Sequence, residues 1–264
     1  MVPPQEEIVR HQSTLMLPDE YQVMFQVENT HWWYRALRVW LQAVVHSHIS
    51  PQGCILDIGC GTGANLALLK FLGYRPLGID LSVSGLQFAS RREDIKGRLC
   101  CASAETLPFV SGRFDGIISL DVLNLLSEKQ EEAALLEIKR VLRRGGALIL
   151  NLPAYEWLRG EHDQAVSTQR RYTASMLEKK LVRAGFRVAR MEYRCMMFLP
   201  AMALLRRFFR RKRANVIMAK SDLTISNPGL INSLFSIFAR EEELLGRLIR
   251  RPFGTSVCAV AISL

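Results

Sequence analysis

Between residues 54 and 152, short apolar runs alternate with stretches whose apolar residues recur at helical spacing. The run CILDIG (54–59) predicts a buried strand, and 63–72 a helix. RPLGID (75–80) predicts a second strand, followed by a helix near 83–92. Strands three, four and five are expected at 97–103, 114–120 and 146–152. The helix before the fifth strand is the best marked. Ser127 with Gln130 three residues on has the spacing of a capping box. Leu135, Ile138 and Leu142 supply an apolar stripe, and Arg143, Arg144, Gly145 and Gly146 end it with cations and then glycine. Strands alternating with helices predict a parallel sheet with right-handed crossovers.

After Pro153 the rhythm changes. Residues 154–172 are polar and read as a loop, 173–184 as a helix, and 186–193 as a strand. A long interruption, 195–251, reads as helical. Its second half opens on Asn227-Pro228, an N-cap with proline at the first helical position. Leu234, Phe238, Leu245 and Ile249 keep helical spacing, and Arg250, Arg251 and Pro252 close it. Residues 255–264 alternate and read as a last strand. His31-Trp32-Trp33-Tyr34 falls on an expected N-terminal helix. Three parts follow: a helical lid (1–50), an α/β domain (51–194 with 252–264), and a helical insertion (195–251). Internal repeats and low-complexity tracts are absent.

Charge changes this picture. The 264-residue chain is 49% hydrophobic, enough for a chain of this size to bury roughly 75% of its unfolded surface. Its net charge of +10 is uneven. Residues 1–153 hold 15 Lys+Arg against 16 Asp+Glu, and residues 154–264 hold 20 against 9. The second part therefore suits an anionic partner: nucleic acid, anionic lipid or a phosphorylated substrate. The polar start MVPPQEEIVR has no signal-peptide core, and no apolar run approaches the roughly 20 residues of a membrane-spanning helix. A cytoplasmic protein is the expectation. The six cysteines show neither a CxxC pair nor zinc-like His spacing, so no metal is expected and they read as small buried hydrophobes.

The candidate chemistry starts at Gly59, Gly61 and Gly63, just past a strand and just before a helix. Two ligands use that place: a dinucleotide, with its pyrophosphate on the helix N-terminus, or S-adenosylmethionine, which has no phosphate. Gly59, Gly61 and Ala64 also fit the looser dinucleotide fingerprint, and Asp80, 21 residues after Gly59, suits a ribose in either case. Asp57 separates the two. A carboxylate at the strand end repels a diphosphate and can receive an ammonium; a plain strand-end cap is its other reading.

The string ILDIGCGTGANL resembles motif I of class I S-adenosylmethionine-dependent methyltransferases. PLGIDLS (76–82), the stretch from Cys101 to Leu126, and EIKRVLRRGGALILNLPAY (137–155) resemble their later motifs in order and spacing. WLRGEHD, RRYT and HWWYR are similar to segments of bacterial, type-11-like members. The resemblance implies a Rossmann-like, mostly parallel seven-stranded sheet, its last strand antiparallel, with a helical insertion before that strand. It implies S-adenosylmethionine as cofactor. Asp57, Gly59, Cys60, Gly61 and Gly63 would hold the methionine end, and Asp80 the ribose. Leu81, Ser103 and Ala104 would lie at the adenine, with Asp121 on the floor near the methyl. Two departures stand out: Ser103 where relatives often carry Asp, and Leu125 where some carry a histidine that serves as base.

Methyl transfer from a sulfonium needs alignment and exclusion of water, and a base only where the acceptor must lose a proton. His162, Asp163 and Tyr172 are the catalytic candidates, His162 as base; a solvated loop histidine is the alternative. His31, Trp33 and Tyr34 would meet the acceptor, or anchor their helix to the sheet. Arg170 and Arg171 would clamp an anionic group of the acceptor, or form a solvated helix start. MMFLPAMALLRRFFRRKR (196–213) suits an anionic membrane surface, a core helix with a basic end, or, last, RNA. The expected function is methyl transfer to a small-molecule or lipid-linked acceptor at oxygen or carbon, with peripheral membrane attachment. The rivals are a non-catalytic cofactor-binding partner subunit and an NAD-dependent oxidoreductase.

Overall fold

A computed structural model describes residues 18–160, 163–164, 166–199, 235 and 251–264. Two helices lead the chain, α1 (Pro18–Val27) and α2 (Trp32–His48). Then follow β1 (Cys54–Ile58), α3 (Ala64–Phe71), β2 (Arg75–Asp80), α4 (Val83–Ala89), β3 (Leu99–Cys101) and β4 (Phe114–Leu120). The second half holds α5 (Glu128–Val141), β5 (Leu142–Pro153), α6 (Ala174–Arg183), β6 (Phe186–Arg194) and β7 (Ser256–Ser263).

The strands form one sheet in the order β3-β2-β1-β4-β5-β7-β6. Strands β1 to β5 pair in parallel, and β7 runs antiparallel to both β5 and β6. This is the seven-stranded arrangement that the resemblance implies. It also differs from the dinucleotide-binding order, whose sixth strand lies parallel beside the fifth.

Both faces of the sheet are covered, so alternate residues of one strand enter different cores. In β1, Leu56 and Ile58 join the side that holds α5 and α6, with Leu135, Ile138, Leu177 and Leu181. Ile55 joins the other side, formed by α2 through Leu37, Trp40, Leu41, Val44 and Val45. Those α2 positions recur at intervals of three and four, the stripe of a helix packed on a sheet. All five residues of β1 are buried. A central strand should then be wholly apolar, and Asp57 is the exception.

The capping box is formed: Gln130 N–H donates to Ser127 Oγ, and Ser127 N–H donates to Gln130 Oε1 at 3.0 Å. Element ends shift by a few residues. β3 keeps only three residues, because only Leu99, Cys100 and Cys101 pair with β2. β5 begins four residues earlier than expected, because Leu142 already pairs with Phe114 ahead of the glycines. Cys54, Cys60, Cys195 and Cys258 are buried, whereas Cys100 is exposed. Most of the 195–251 insertion lies outside the described residues. Of 196–213 only 196–199 are described, so the anionic-surface reading falls largely outside them. Among the described residues, no helix is long and apolar enough to cross a membrane.

Candidate functional site

The turn after β1 is stitched to the end of β2. Gly59 and Cys60 N–H both donate to Ile79 O, at 2.8 and 2.9 Å. The Asp80 carboxylate accepts from Gly61 N–H and Ser82 N–H, each at 2.8 Å. Asp80 therefore shapes the turn. Gly59 and Gly63 have φ of 74° and 81°, where side chains are strained. A Cβ at Gly59 would strike Val122 Cγ2, and one at Gly63 would lie 2.6 Å from Ile95 Cδ1. The backbone is thus held at the C-terminal edge of the sheet, where β1 and β4 part toward opposite sides, the usual ligand crevice of such folds.

A cavity of about 450 Å³ opens there. Ile58 to Thr62 form one wall, and Asp80, Leu81, Ser103 and Ala104 another. Leu120 to Val122 lie at the end of β4, and Tyr21, Met24, His31 and Tyr34 come from the N-terminal helices. Asp57 stands directly behind the first wall, 1% exposed, with Oδ2 lacking any hydrogen-bond partner. Burial, with Asp80 adding like charge, pushes its carboxyl up to about 8. An orphaned buried acceptor is costly unless a ligand donor completes it. An ammonium does so and favours the ionised carboxyl; a diphosphate brings further negative charge and no donor. Burial likewise raises the Asp80 carboxyl, against hydrogen bonds that lower it. At the other end Ser103 Oγ accepts from Glu105 N–H at 3.2 Å. These residues are compatible with S-adenosylmethionine: its amino-acid arm would lie toward Asp57, its ribose at Asp80, and its uncharged nucleobase beside Leu81, Ser103 and Ala104.

The N-terminal helices are tied to this turn. Glu28, 3% exposed, receives Thr62 Oγ1–H at 2.6 Å and Arg92 Nη2–H at 2.5 Å. Tyr21 lies within reach of Gly61 and Gly85, and burial plus Asp80 raises its hydroxyl. Neither Tyr21 nor Glu28 was singled out from the sequence. Pro18 followed by Asp19 and Glu20 is a helix-start signal that would have marked α1.

The acceptor-side candidates separate. His31 caps α2: its Nδ1 accepts from Trp33 N–H at 3.3 Å, so Nε2 carries the proton of the neutral ring, and burial lowers its basicity. Nε2 is buried and unpartnered, and His31, Trp33 and Tyr34 all line the cavity. Burial raises the Tyr34 hydroxyl, with Glu28 and Asp121 contributing. Asp163 and Arg171 also line the cavity, but they are spent on each other: Arg171 Nε–H and Nη2–H donate to Asp163 at 2.9 and 3.1 Å. Against the raising effect of burial, Arg171 holds the Asp163 carboxyl below its usual range.

Tyr172 and Arg170 do not join the cavity. Tyr172 is fully buried, and its hydroxyl donates to Glu131 Oε1 at 3.0 Å and Leu123 O at 3.3 Å. Arg170 pairs with Glu131, and so does Lys180 at 3.0 Å. Glu131, on α5, is itself inaccessible, so the core needs these cations and this hydroxyl to satisfy it. That requirement holds both residues outside the cavity lining. His162 lies outside the described residues. Among the described residues, no group of His, Cys, Asp and Glu could hold a metal ion.

Parallel order through β5 with an antiparallel β7 defines a Rossmann-like sheet of the methyltransferase kind. Comparison with known proteins agrees. Residues 56–150 match the family model described as a methyltransferase domain. A fatty-acid O-methyltransferase of Mycolicibacterium smegmatis is 32% identical over 118 residues, 41% of this chain and 42% of that protein. A demethylmenaquinone methyltransferase of Symbiobacterium thermophilum is 32% identical over 144 residues, 50% and 54% of the two chains. The chain thus spans about half the length of these curated relatives. The crystal structure of a SAM-dependent methyltransferase from Archaeoglobus fulgidus has a TM-score of 0.55 at 16% identity, covering 86% of this chain and 92% of its own, which is likeness of fold. The chain carries a class I S-adenosylmethionine-dependent methyltransferase domain, and S-adenosylmethionine is its cofactor.

Proposed function

We propose that this protein transfers a methyl group from S-adenosylmethionine to a small-molecule or lipid-linked acceptor, at oxygen or carbon. The observation that carries the reading is the orphaned Asp57 carboxyl behind a glycine turn shaped by Asp80. When bound, the cofactor supplies an electrophilic methyl on a sulfonium. Asp57 and the backbone of Gly59, Cys60 and Gly61 hold its amino-acid arm, with Gly63 setting the close approach of α3. Asp80 orients the ribose, and Leu81, Ser103 and Ala104 the adenine. Tyr21, Tyr34 and Trp33 exclude water and meet the acceptor together with His31. The Asp163–Arg171 pair braces the far wall rather than acting as a base.

Beyond those groups the walls include Leu37, Leu120, Leu125, Leu126, Leu158 and Val166, which favours an acceptor with an apolar body. The partial relatives named for fatty-acid and demethylmenaquinone methylation point to the same chemistry. Attachment of residues 196–213 to anionic lipid would bring such an acceptor close. The test is transfer of labelled methyl from S-adenosylmethionine to a long-chain fatty acid, a demethylated quinol and bulk RNA. Label in the organic-extractable acceptors is expected; label confined to RNA contradicts the acceptor class. Leu125, standing where the resemblance implies a histidine, favours a second reading: a cofactor-binding partner subunit that never turns over.

A further inference from the structure

Asp121 occupies an uncommon position. It follows β4 directly and has φ of 57°, a left-handed conformation that costs a non-glycine residue energy and persists where the surroundings impose it. The surroundings here are β5 and β7. Asp121 N–H donates to Asn151 O at 2.8 Å, and Asn151 Nδ2 donates to both carboxylate oxygens at 3.0 Å. Asn151 is fully buried, and Cys258 Sγ–H donates to its Oδ1 at 3.2 Å. Two strands therefore aim one half-buried carboxyl into the cavity floor.

The charged and titratable groups around it leave it without an ion pair among the described residues. Arg171, from the loop before α6, is engaged by Asp163 and Ala154 O. Arg194, on β6, donates to Ala36 O and lies over the Trp40 ring. Tyr34, on α2, faces it as a neutral phenol whose ionisation burial opposes. Burial is the largest influence on Asp121 and pushes its carboxyl up to about 7, offset by Asn151, Arg171 and Arg194. A group titrating there suits proton transfer at neutral pH.

Of the acceptor-side candidates named from the sequence, those lining the cavity are unsuited as bases. His31 presents a proton-bearing Nε2, because Nδ1 is occupied by Trp33 N–H. Asp163 is locked to Arg171, and Leu125 has no titratable group.

Building on methyl transfer as proposed above, we infer that Asp121 is the general base of this site. Asp121 takes the acceptor's proton as the acceptor atom bonds to the methyl carbon and the carbon–sulfur electron pair stays on sulfur. The carboxylate and sulfonium charges then vanish together, so the floor holds no net charge before or after transfer. Coulomb attraction between these two charges in a buried site implies a linkage: S-adenosylmethionine favours ionised Asp121, and S-adenosylhomocysteine, which lacks the sulfonium, does not.

The linkage is measurable without an acceptor. Each compound is titrated calorimetrically at pH 7 in two buffers of different ionisation enthalpy, giving the protons exchanged on binding. Wild type is compared with Asp121→Asn, which cancels contributions from the ligands' own amino groups. Expected is a larger proton release with S-adenosylmethionine than with S-adenosylhomocysteine, this difference exceeding that of Asp121→Asn by roughly half a proton, because a group with a pKa near the ambient pH is half protonated. Identical differences in the two proteins overturn the assignment. Infrared difference spectra of the two wild-type complexes serve if the variant does not fold. A protonated-carboxyl band with S-adenosylhomocysteine that disappears with S-adenosylmethionine supports the base, and an unchanged band overturns it. Failure of either compound to bind removes the methyl-transfer reading itself; binding with equal proton counts removes only the base.

Discussion

Glu28→Gln tests how the N-terminal helices are coupled to the cofactor turn. The Glu28 carboxylate joins Thr62 Oγ1 and Arg92 Nη2, while Arg92 Nε–H donates to Thr62 O at 2.8 Å and Arg38 Nη2–H to Glu28 O at 2.5 Å. Three segments meet at one charge: the α1–α2 turn, the glycine turn, and the stretch after α4. Glutamine keeps the shape and removes that charge. Breaking a buried ion pair on one side costs about 3–5 kcal/mol. Arg92 is 16% exposed, and the glutamine oxygen still accepts one hydrogen bond, so about 2–3 kcal/mol is the better figure here. At about 2–4 °C per kcal/mol for a domain of this size, the melting temperature should fall by roughly 5–10 °C. The assay is thermal and urea unfolding followed by circular dichroism, with a parallel cofactor titration that should show weakened binding. A cycle with Arg92→Met isolates the pair. A midpoint within about 1 °C of wild type, or a coupling below about 0.5 kcal/mol, would refute the clasp.

Asp57 predicts a pH dependence. Its folded carboxyl titrates at about 8 and an unfolded one near 3.9, so the folded state holds the extra proton between those values and stability falls as pH rises through that window. Asp57→Asn should therefore lose less urea stability than wild type between pH 5 and pH 8; equal slopes would contradict the burial argument. Tyr172→Phe removes the donor to Glu131 and Leu123 O, and should cost about 1–2 kcal/mol while leaving cofactor affinity within about twofold. Tenfold weaker cofactor binding would return Tyr172 to the site. Gly59→Ala drives a methyl into Val122, whereas at Gly61 the nearest atom, Met24 Sδ, is 3.7 Å away and the cost is backbone strain of about 1 kcal/mol. Unfolding midpoints should rank wild type above Gly61→Ala above Gly59→Ala, and the reverse order would show that Val122 yields freely.

Local signals carried most of the fold into the sequence. The capping box at Ser127, the glycine turn and the apolar strands are each decided by neighbours within a few residues, and each appears where expected. Strand ends were less legible, because a ladder partner such as Phe114 for Leu142 decides them from a distance. The glycine turn and its tie to Asp80 were legible for the same local reason, since Gly59 to Gly63 and Asp80 bridge adjacent βα units. The far side of the cavity was not. Whether Arg170 and Tyr172 face a cleft depends on Glu131, 39 and 41 residues away on another helix. Glu28 was hidden likewise, since a lone acidic residue gives no sign that Thr62 and Arg92 will enclose it.

Titration of the purified protein with S-adenosylmethionine and with NAD, by calorimetry, bears most directly on the account. The orphaned Asp57 and the carboxylate-shaped turn require a ligand that brings an ammonium and no diphosphate. Saturable heat with S-adenosylmethionine, lost in Asp80→Ala, and none with NAD is the result expected. Saturable NAD binding that S-adenosylmethionine cannot displace would contradict it.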